Sequence, residues 1–168
     1  MMGKVITSFG NQAFLSRMVL QSDGKIVAVG NASNGSNIDW KITRYNTDGS
    51  LDTTFGINGI ITKDFGSQDS LEAITLQSDG KIIVGGYSTD INNNNRKWTL
   101  ARYDLDGSLD LSFGDRGVVI TSIRGQNIEQ LHDIVVQSDG KIIGVGASLQ
   151  VSLVRYNSDG TLDSSFGS

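Results

Sequence analysis

Short apolar runs, each bounded by a glycine-bearing turn, recur along the whole chain. No stretch holds apolar residues at the 3.6-residue spacing of an amphipathic helix. Three runs are nearly continuous: Lys25-Ile-Val-Ala-Val-Gly30, Lys81-Ile-Ile-Val-Gly-Gly86 and Lys141-Ile-Ile-Gly-Val-Gly146. Such runs suit strands buried on both faces. Each follows a Ser-Asp-Gly turn, where glycine supplies the positive φ that a tight hairpin needs. Before those turns the pattern predicts strands over 16–21, 71–77 and 130–137, and after the apolar runs it predicts strands over 40–45, 98–103 and 151–156. A shorter strand opens each unit, at 4–8, 60–64 and 118–122. The expected chain is all-β, with four strands per unit.

The units are copies of one another. Gln-Ser-Asp-Gly-Lys-Ile begins at Gln21, Gln77 and Gln137. Arg-Tyr-(Asn/Asp)-x-Asp-Gly-(Ser/Thr)-Leu-Asp-x-(Thr/Ser)-Phe-Gly begins at Arg44, Arg102 and Arg155. A glycine, an apolar run and a threonine recur at Gly3, Gly59 and Gly117. Three markers in constant order define a repeat of roughly sixty residues. The expected organisation is a single domain, 1–168, with blades at approximately 3–56, 57–114 and 115–168. Four antiparallel strands at a steady period are the pattern of a β-propeller blade. A β-trefoil or β-prism also has three four-stranded repeats. The longer repeat and the glycine-rich third strand, suited to close sheet-on-sheet packing, favour the propeller.

The strings Gln77-Ser-Asp-Gly-Lys-Ile-Ile-Val-Gly-Gly86 and Ala101-Arg-Tyr-Asp-Leu-Asp-Gly-Ser-Leu-Asp-Leu-Ser-Phe-Gly114 resemble the delta-sixty repeat, and the resemblance covers all three copies. It implies a bacterial β-propeller repeat family without an assigned activity, whose members are often large surface or secreted proteins. That family commonly has proline before its Asp-Gly turns. Here Ser22, Thr47, Ser78, Leu105, Ser138 and Ser158 stand at those places, so the turns are expected to be less rigid.

Composition narrows the chemistry. The chain has 21 Gly, no Pro and no Cys, which removes disulfides, thiolate nucleophiles and Cys-based zinc sites. Net charge is −4 with the signs interspersed, so no basic surface for nucleic acid is expected. No apolar run is long enough for a membrane helix, and residues 1–7 lack the features of a signal peptide. The default expectation from these residues is cytoplasmic, against the surface or secreted location that the resemblance implies. No cofactor and no metal is expected. Three blades are too few to close a ring, since closed propellers have four to eight. The open blade faces predict a homodimer of six blades, with Phe166 packing across the junction.

Candidate chemistry is sparse. The turn from Asp104 to Asp110 has the acidity of a calcium loop, but Arg102 stands where such a loop needs an oxygen ligand. A tight turn held by Asp side chains is expected instead. Arg44, Arg102 and Arg155 recur with Asp52, Asp110 and Asp163 eight residues on, which reads as a structural ion pair in every copy. His132, the single histidine, is expected on a surface or rim, and Trp40 and Trp98 in blade packing. Recognition is expected on the loops that differ between copies, at Asn31, Asn34, Asp39, Asp90, Asn93, Arg96, Arg124 and Gln126. These suggest a non-enzymatic binding or assembly module with a protein or glycan ligand. The alternative is a hydrolase or lyase using carboxylates in the central channel.

Overall fold

A computed structural model describes residues 3–10, 12–92, 94–123 and 128–167. Among them are eleven strands and no helix, hence no helix long and apolar enough to cross a membrane. Strands β1 (Ala13–Leu20), β2 (Ile26–Ser33), β3 (Ile38–Tyr45) and β4 (Ile60–Lys63) pair antiparallel in that order as a first sheet. Strands β5 (Ser70–Leu76), β6 (Ile82–Thr89), β7 (Arg96–Tyr103) and β8 (Val118–Thr121) repeat the arrangement. A third sheet holds β9 (Gln130–Val136), β10 (Ile142–Ser148) and β11 (Gln150–Tyr156). Neighbours in sequence pair within one sheet, and the sheets stack face to face with β1, β5 and β9 packed in succession. This is the propeller arrangement, not a β-trefoil or β-prism.

The sheets and the sequence repeats are out of phase by one strand. The short strand that opens each repeat pairs with the sheet before it: β4 continues from the second repeat onto β3, and β8 from the third onto β7. The expected grouping of that strand with the residues after it is therefore corrected. So is the expectation of three four-stranded blades, because the third sheet has three strands. Residues 4–8 form no strand and pair with none among the described residues.

The glycines of β2, β6 and β10 have a steric cause. The ladder slips by one residue at Ser16, Glu72 and His132, a β-bulge opposite Gly30, Gly86 and Gly146. A Cβ on Gly86 would stand 1.9 Å from the Ser70 carbonyl oxygen, and one on Gly146 would stand 2.0 Å from that of Gln130. No side chain fits there.

Two hydrophobic clusters hold the stack together. Val27, Val29, Trp40 and Ile42 of the first sheet meet Leu71, Ile74, Ile82 and Val84 of the second. Ala73, Ile83, Trp98 and Leu100, from the second sheet's other face, meet Leu131, Ile134 and Ile142 of the third. Successive residues of β6 thus serve opposite junctions, which explains its unbroken apolar run. Gly144 and Gly146 make room for the Trp98 ring, whose carbons lie 3.3 and 2.6 Å from where their Cβ atoms would be.

The outer faces of the stack have the same residues without the neighbour. Leu15, Met18 and Leu20 hold the places that Leu71, Ile74 and Leu76 hold one repeat later, and are 69%, 67% and 69% exposed. Val151 and Leu153, in the places of Trp98 and Leu100, are 78% and 56% exposed.

Candidate functional site

Antiparallel pairing sends the β2–β3, β4–β5 and β6–β7 connections to one end of the stack, and the Ser-Asp-Gly turns to the other. The loops at the first end are shorter than the sequence suggests. Ladder pairing runs out to Ser33↔Ile38 and Thr89↔Arg96, so Asn31, Asp39 and Arg96 lie on strands. Asn34 and Asp90 remain in loops. Asn93, Arg124 and Gln126 lie outside the described residues.

Between the first two sheets this end carries an open depression of about 490 Å³, whose lining includes Phe14, Asn31, Ser70, Glu72, Tyr87 and Arg96. The Arg96 guanidinium lies over the Tyr87 ring at 4.6 Å, a cation–π contact that holds a long side chain in place. Asn31 is buried and serves as a bridge. Its Nδ2 donates to Ser70 Oγ (3.3 Å) and to the Leu71 carbonyl (3.4 Å), and its Oδ1 accepts from the Leu71 N–H (2.6 Å). Of the expected binding residues, Asn31 and Arg96 thus come together here.

Asn34 and Asp39 form their own group to one side. The Asn34 amide donates to both Asp39 oxygens, at 3.1 and 3.2 Å, and its Oδ1 accepts from the N–H groups of Ser36 and Asn37. Asp39 is buried, with the Lys41 ammonium 3.8 Å away. Asp90 accepts from the Asn92 N–H and stands 3.8 Å from the Lys97 ammonium.

Phe14, Glu72 and Tyr87 were not foreseen as part of a site. The signal is in the repeat itself. Aligned copies put Phe14, Ser70 and Gln130 at one position, Ser16, Glu72 and His132 at another, and Asn31, Tyr87 and Ala147 at a third. Positions that serve the fold stay constant; these do not. His132 is exposed on β9.

Asp69 also lines the depression. Burial pushes its carboxyl up to about 6, although the N–H groups of Phe65 (2.9 Å) and Thr89 (3.1 Å) donate to its two oxygens. Both oxygens are engaged in fixing the β4–β5 connection to the end of β6. Among the described residues no three His, Asp or Glu side chains converge as a metal site would need.

The recurrent Arg–Asp pairs sit at the opposite end and build the junctions between repeats. Asp52 Oδ2 accepts from Arg44 Nε (2.7 Å) and Lys25 Nζ (2.9 Å), while its Oδ1 accepts from Thr54 Oγ1 (2.6 Å). Asp110 is held alike by Arg102, Lys81 and Ser112, and Asp163 by Arg155, Lys141 and Ser165. Each guanidinium also covers a phenylalanine ring: Arg44 on Phe55, Arg102 on Phe113, Arg155 on Phe166. The Thr54 hydroxyl and the Lys25 ammonium hold the Asp52 carboxyl far below the usual carboxylate range. Burial raises Asp110, but bonds from Lys81 and Ser112 outweigh it and the net shift is strongly downward. Lys141 and Ser165 lower Asp163 likewise.

The Asp104–Asp110 turn is closed by protein groups. Asp106 Oδ1 accepts from the Ser108 N–H (2.9 Å) and hydroxyl (2.7 Å), and Lys81 Nζ lies 2.8 Å from Asp104.

This frame of hairpin turn, clamp and Phe-Gly linker is what a known family describes. The model of a β-propeller domain of unknown function, DUF5122, matches residues 21–55, 77–113 and 137–166. The chain belongs to the DUF5122 β-propeller family. The match covers well over half the sequence and falls on all three repeats. Within each DUF5122 repeat it runs from the Ser-Asp-Gly hairpin to the phenylalanine beneath the clamp, the constant part of the structure. No curated protein matches the chain.

Proposed function

We propose that this DUF5122 propeller is a non-enzymatic binding module, a rigid stack that offers its variable end to a protein or glycan. The observation that carries this reading is the open depression lined by Tyr87, Phe14 and Arg96, where an aromatic face, a fixed cation and hydrogen-bonding groups converge at repeat-specific positions. Aromatic faces with a few placed polar groups are what sugar rings and protein loops dock against. The shallow opening suits an extended ligand laid across the surface rather than a small substrate enclosed from water. The carboxylates of the depression are engaged by neighbouring groups: Glu72 accepts from the Ser70 hydroxyl, and Asp69 from the N–H groups of Phe65 and Thr89.

A glycan array read beside a thermal-shift screen tests the proposal with the intact chain. The expected result is retention of a discrete ligand set, lost in Arg96→Ala, with the melting temperature of that variant unchanged. Either an empty array with no thermal shift, or binding indifferent to Arg96→Ala, would sink it.

A further inference from the structure

The two ends of the chain carry the two halves of a junction that the molecule already forms twice within itself. At the first internal junction, Gly56 N–H donates to the Asp106 carbonyl (2.8 Å), Arg44 Nη1 donates to the Leu105 carbonyl, and Phe55 packs beneath Gly107. At the second, Gly114 N–H donates to the Asp159 carbonyl (2.8 Å), Arg102 Nη1 donates to the Ser158 carbonyl (2.6 Å), and Phe113 packs beneath Gly160. The next set in the series would join Gly167, Arg155 and Phe166 to Asp48, Thr47 and Gly49. Within one chain these groups do not meet: a Cβ on Gly167 would have nothing within 4 Å, and Gly49 would meet only Val5.

Residues 4–7 are already seated as an outer strand without a sheet. Val5 faces Gly49 as Ile61 faces Gly107 and as Val119 faces Gly160. Tyr45 Oη donates to Thr7 Oγ1 (2.7 Å), as Tyr156 Oη lies 3.0 Å from Thr121 Oγ1. By both measures Val5 and Thr7 stand where Val119 and Thr121 of β8 stand. Strand β8 is the fourth strand of the second sheet, and residues 4–7 have no such partner among the described residues. The third sheet has the converse defect, since among the described residues β11 pairs with β10 on one edge and with no strand on the other.

We infer that β11 of one chain takes residues 4–7 of a second copy as the fourth strand of its sheet, and that two such junctions close a six-bladed ring. The register follows from β7 and β8, where Trp98, Thr99, Leu100 and Ala101 face Thr121, Ile120, Val119 and Val118. Val151 then pairs with the partner's Thr7, Ser152 with the partner's Ile6, Leu153 with the partner's Val5 and Val154 with the partner's Lys4. Leu15, Met18 and Leu20 become buried as Leu71, Ile74 and Leu76 are. The contact is head-to-tail, and such contacts close only when the copies complete a full turn. One chain supplies three blades and three chains would supply nine, whereas closed propellers hold four to eight. Two chains fit.

Light scattering on the intact chain should give about 36 kDa, twice the 18.0 kDa of one chain. The Leu15→Lys, Met18→Lys variant, altered only at exposed positions, should give 18.0 kDa with an unchanged far-UV circular dichroism spectrum. The sequence has no cysteine, so Ser152→Cys with Ile6→Cys should oxidise to one covalent dimer, and neither single variant should. A mass of 18.0 kDa for the unaltered chain, a ladder of higher multiples, a dimer indifferent to the lysine pair, or failure of the double-cysteine variant to cross-link would each overturn the inference.

Discussion

Asp110→Asn keeps the shape of the central clamp and removes its charge. Asp110 Oδ2 accepts from Arg102 Nε at 2.7 Å and from Lys81 Nζ at 2.7 Å. An asparagine nitrogen at that site would point a donor at two donors, and rotating the amide would instead set it against the Ser112 N–H and hydroxyl. The Arg102 side chain is 9% exposed, so its charge would be left with little water. Removing one partner of a buried ion pair costs about 3–5 kcal/mol. Arg102 keeps the Ser158 carbonyl and the Phe113 ring, which places the expected loss near the lower end, about 3 kcal/mol. Urea unfolding at matched protein concentration should show this as a fall in midpoint with little change in slope. Asp163→Asn should lose less, because the Arg155 side chain is 22% exposed and water can replace part of the pair. The pH dependence has a definite sign. Asp110 titrates below its unfolded value, so its contribution is present above about pH 4 and is lost as pH falls through the folded value. Variant and parent should therefore converge in acid. The reasoning fails if Asp110→Asn costs under about 1 kcal/mol at neutral pH, matches Asp163→Asn, or keeps its deficit in strong acid.

Trp98→Ala should cost about 3–5 kcal/mol in the same unfolding assay, because Gly144 and Gly146 leave no side chain able to fill the hole. A loss below about 1.5 kcal/mol would mean the second and third sheets close together without the ring. Asp69 works in the opposite sense to the clamps. Its folded value, about 6, lies above the unfolded one, so its contribution is complete below the ordinary aspartate value of 3.8 and is lost as pH rises towards 6. The drop should be on the order of 1–2 kcal/mol once solvent screening is allowed for. Asp69→Asn should lack it, and a parent stability flat between pH 4 and 6 would contradict the burial argument.

What could be read from the sequence was whatever recurs. The apolar runs, the Ser-Asp-Gly hairpins and the Arg–Asp pairs each appear three times, and repetition separates a steric requirement from chance. The phase of strand to sheet could not be read that way. Whether 60–63 joins the strands before or after it leaves every spacing unchanged, so only pairing decides it. The extra length of β2, β3, β6 and β7 was hidden by polar residues such as Asn31, Asp39 and Arg96, which look like loop and yet continue the ladder. The depression was hidden for a different reason. Phe14, Glu72 and Tyr87 lie on two strands of the second sheet and one of the first, and nothing in their sequence spacing brings them together.

The phase offset also explains why this fold can vary one end without losing the other. The first and second sheets take their outer strand from the next repeat, so the chain stitches neighbours together at the end that carries the Phe-Gly linker and the clamp. There an altered residue is felt by two sheets at once: Gly160 is bounded by Val119, Phe113 and the backbone of Gly114, all belonging to the sheet before it. At the far end the loops leave one sheet and return to it or pass to the next as short spans, and most of their bonds are local, as in the Asn34–Asn37 and Asp90–Asn95 turns. A substitution there perturbs one loop. Asn31 and Asp69 are the exceptions that fit the rule: Asn31, on β2, clamps β5, Asp69 holds the β4–β5 connection to the end of β6, and both are accordingly buried. Tyr103 shows the cost of breaking the pattern where two sheets meet. Lys63 occupies the place that Thr121 and Thr7 hold against the other two tyrosines, and its ammonium lies over the Phe65 ring instead. The Tyr103 hydroxyl is left buried without a partner, and burial raises its ionisation far above the usual phenol value. One lysine in the wrong copy removes a hydrogen bond from the core, and the same change in a loop at the variable end would alter only what that surface offers.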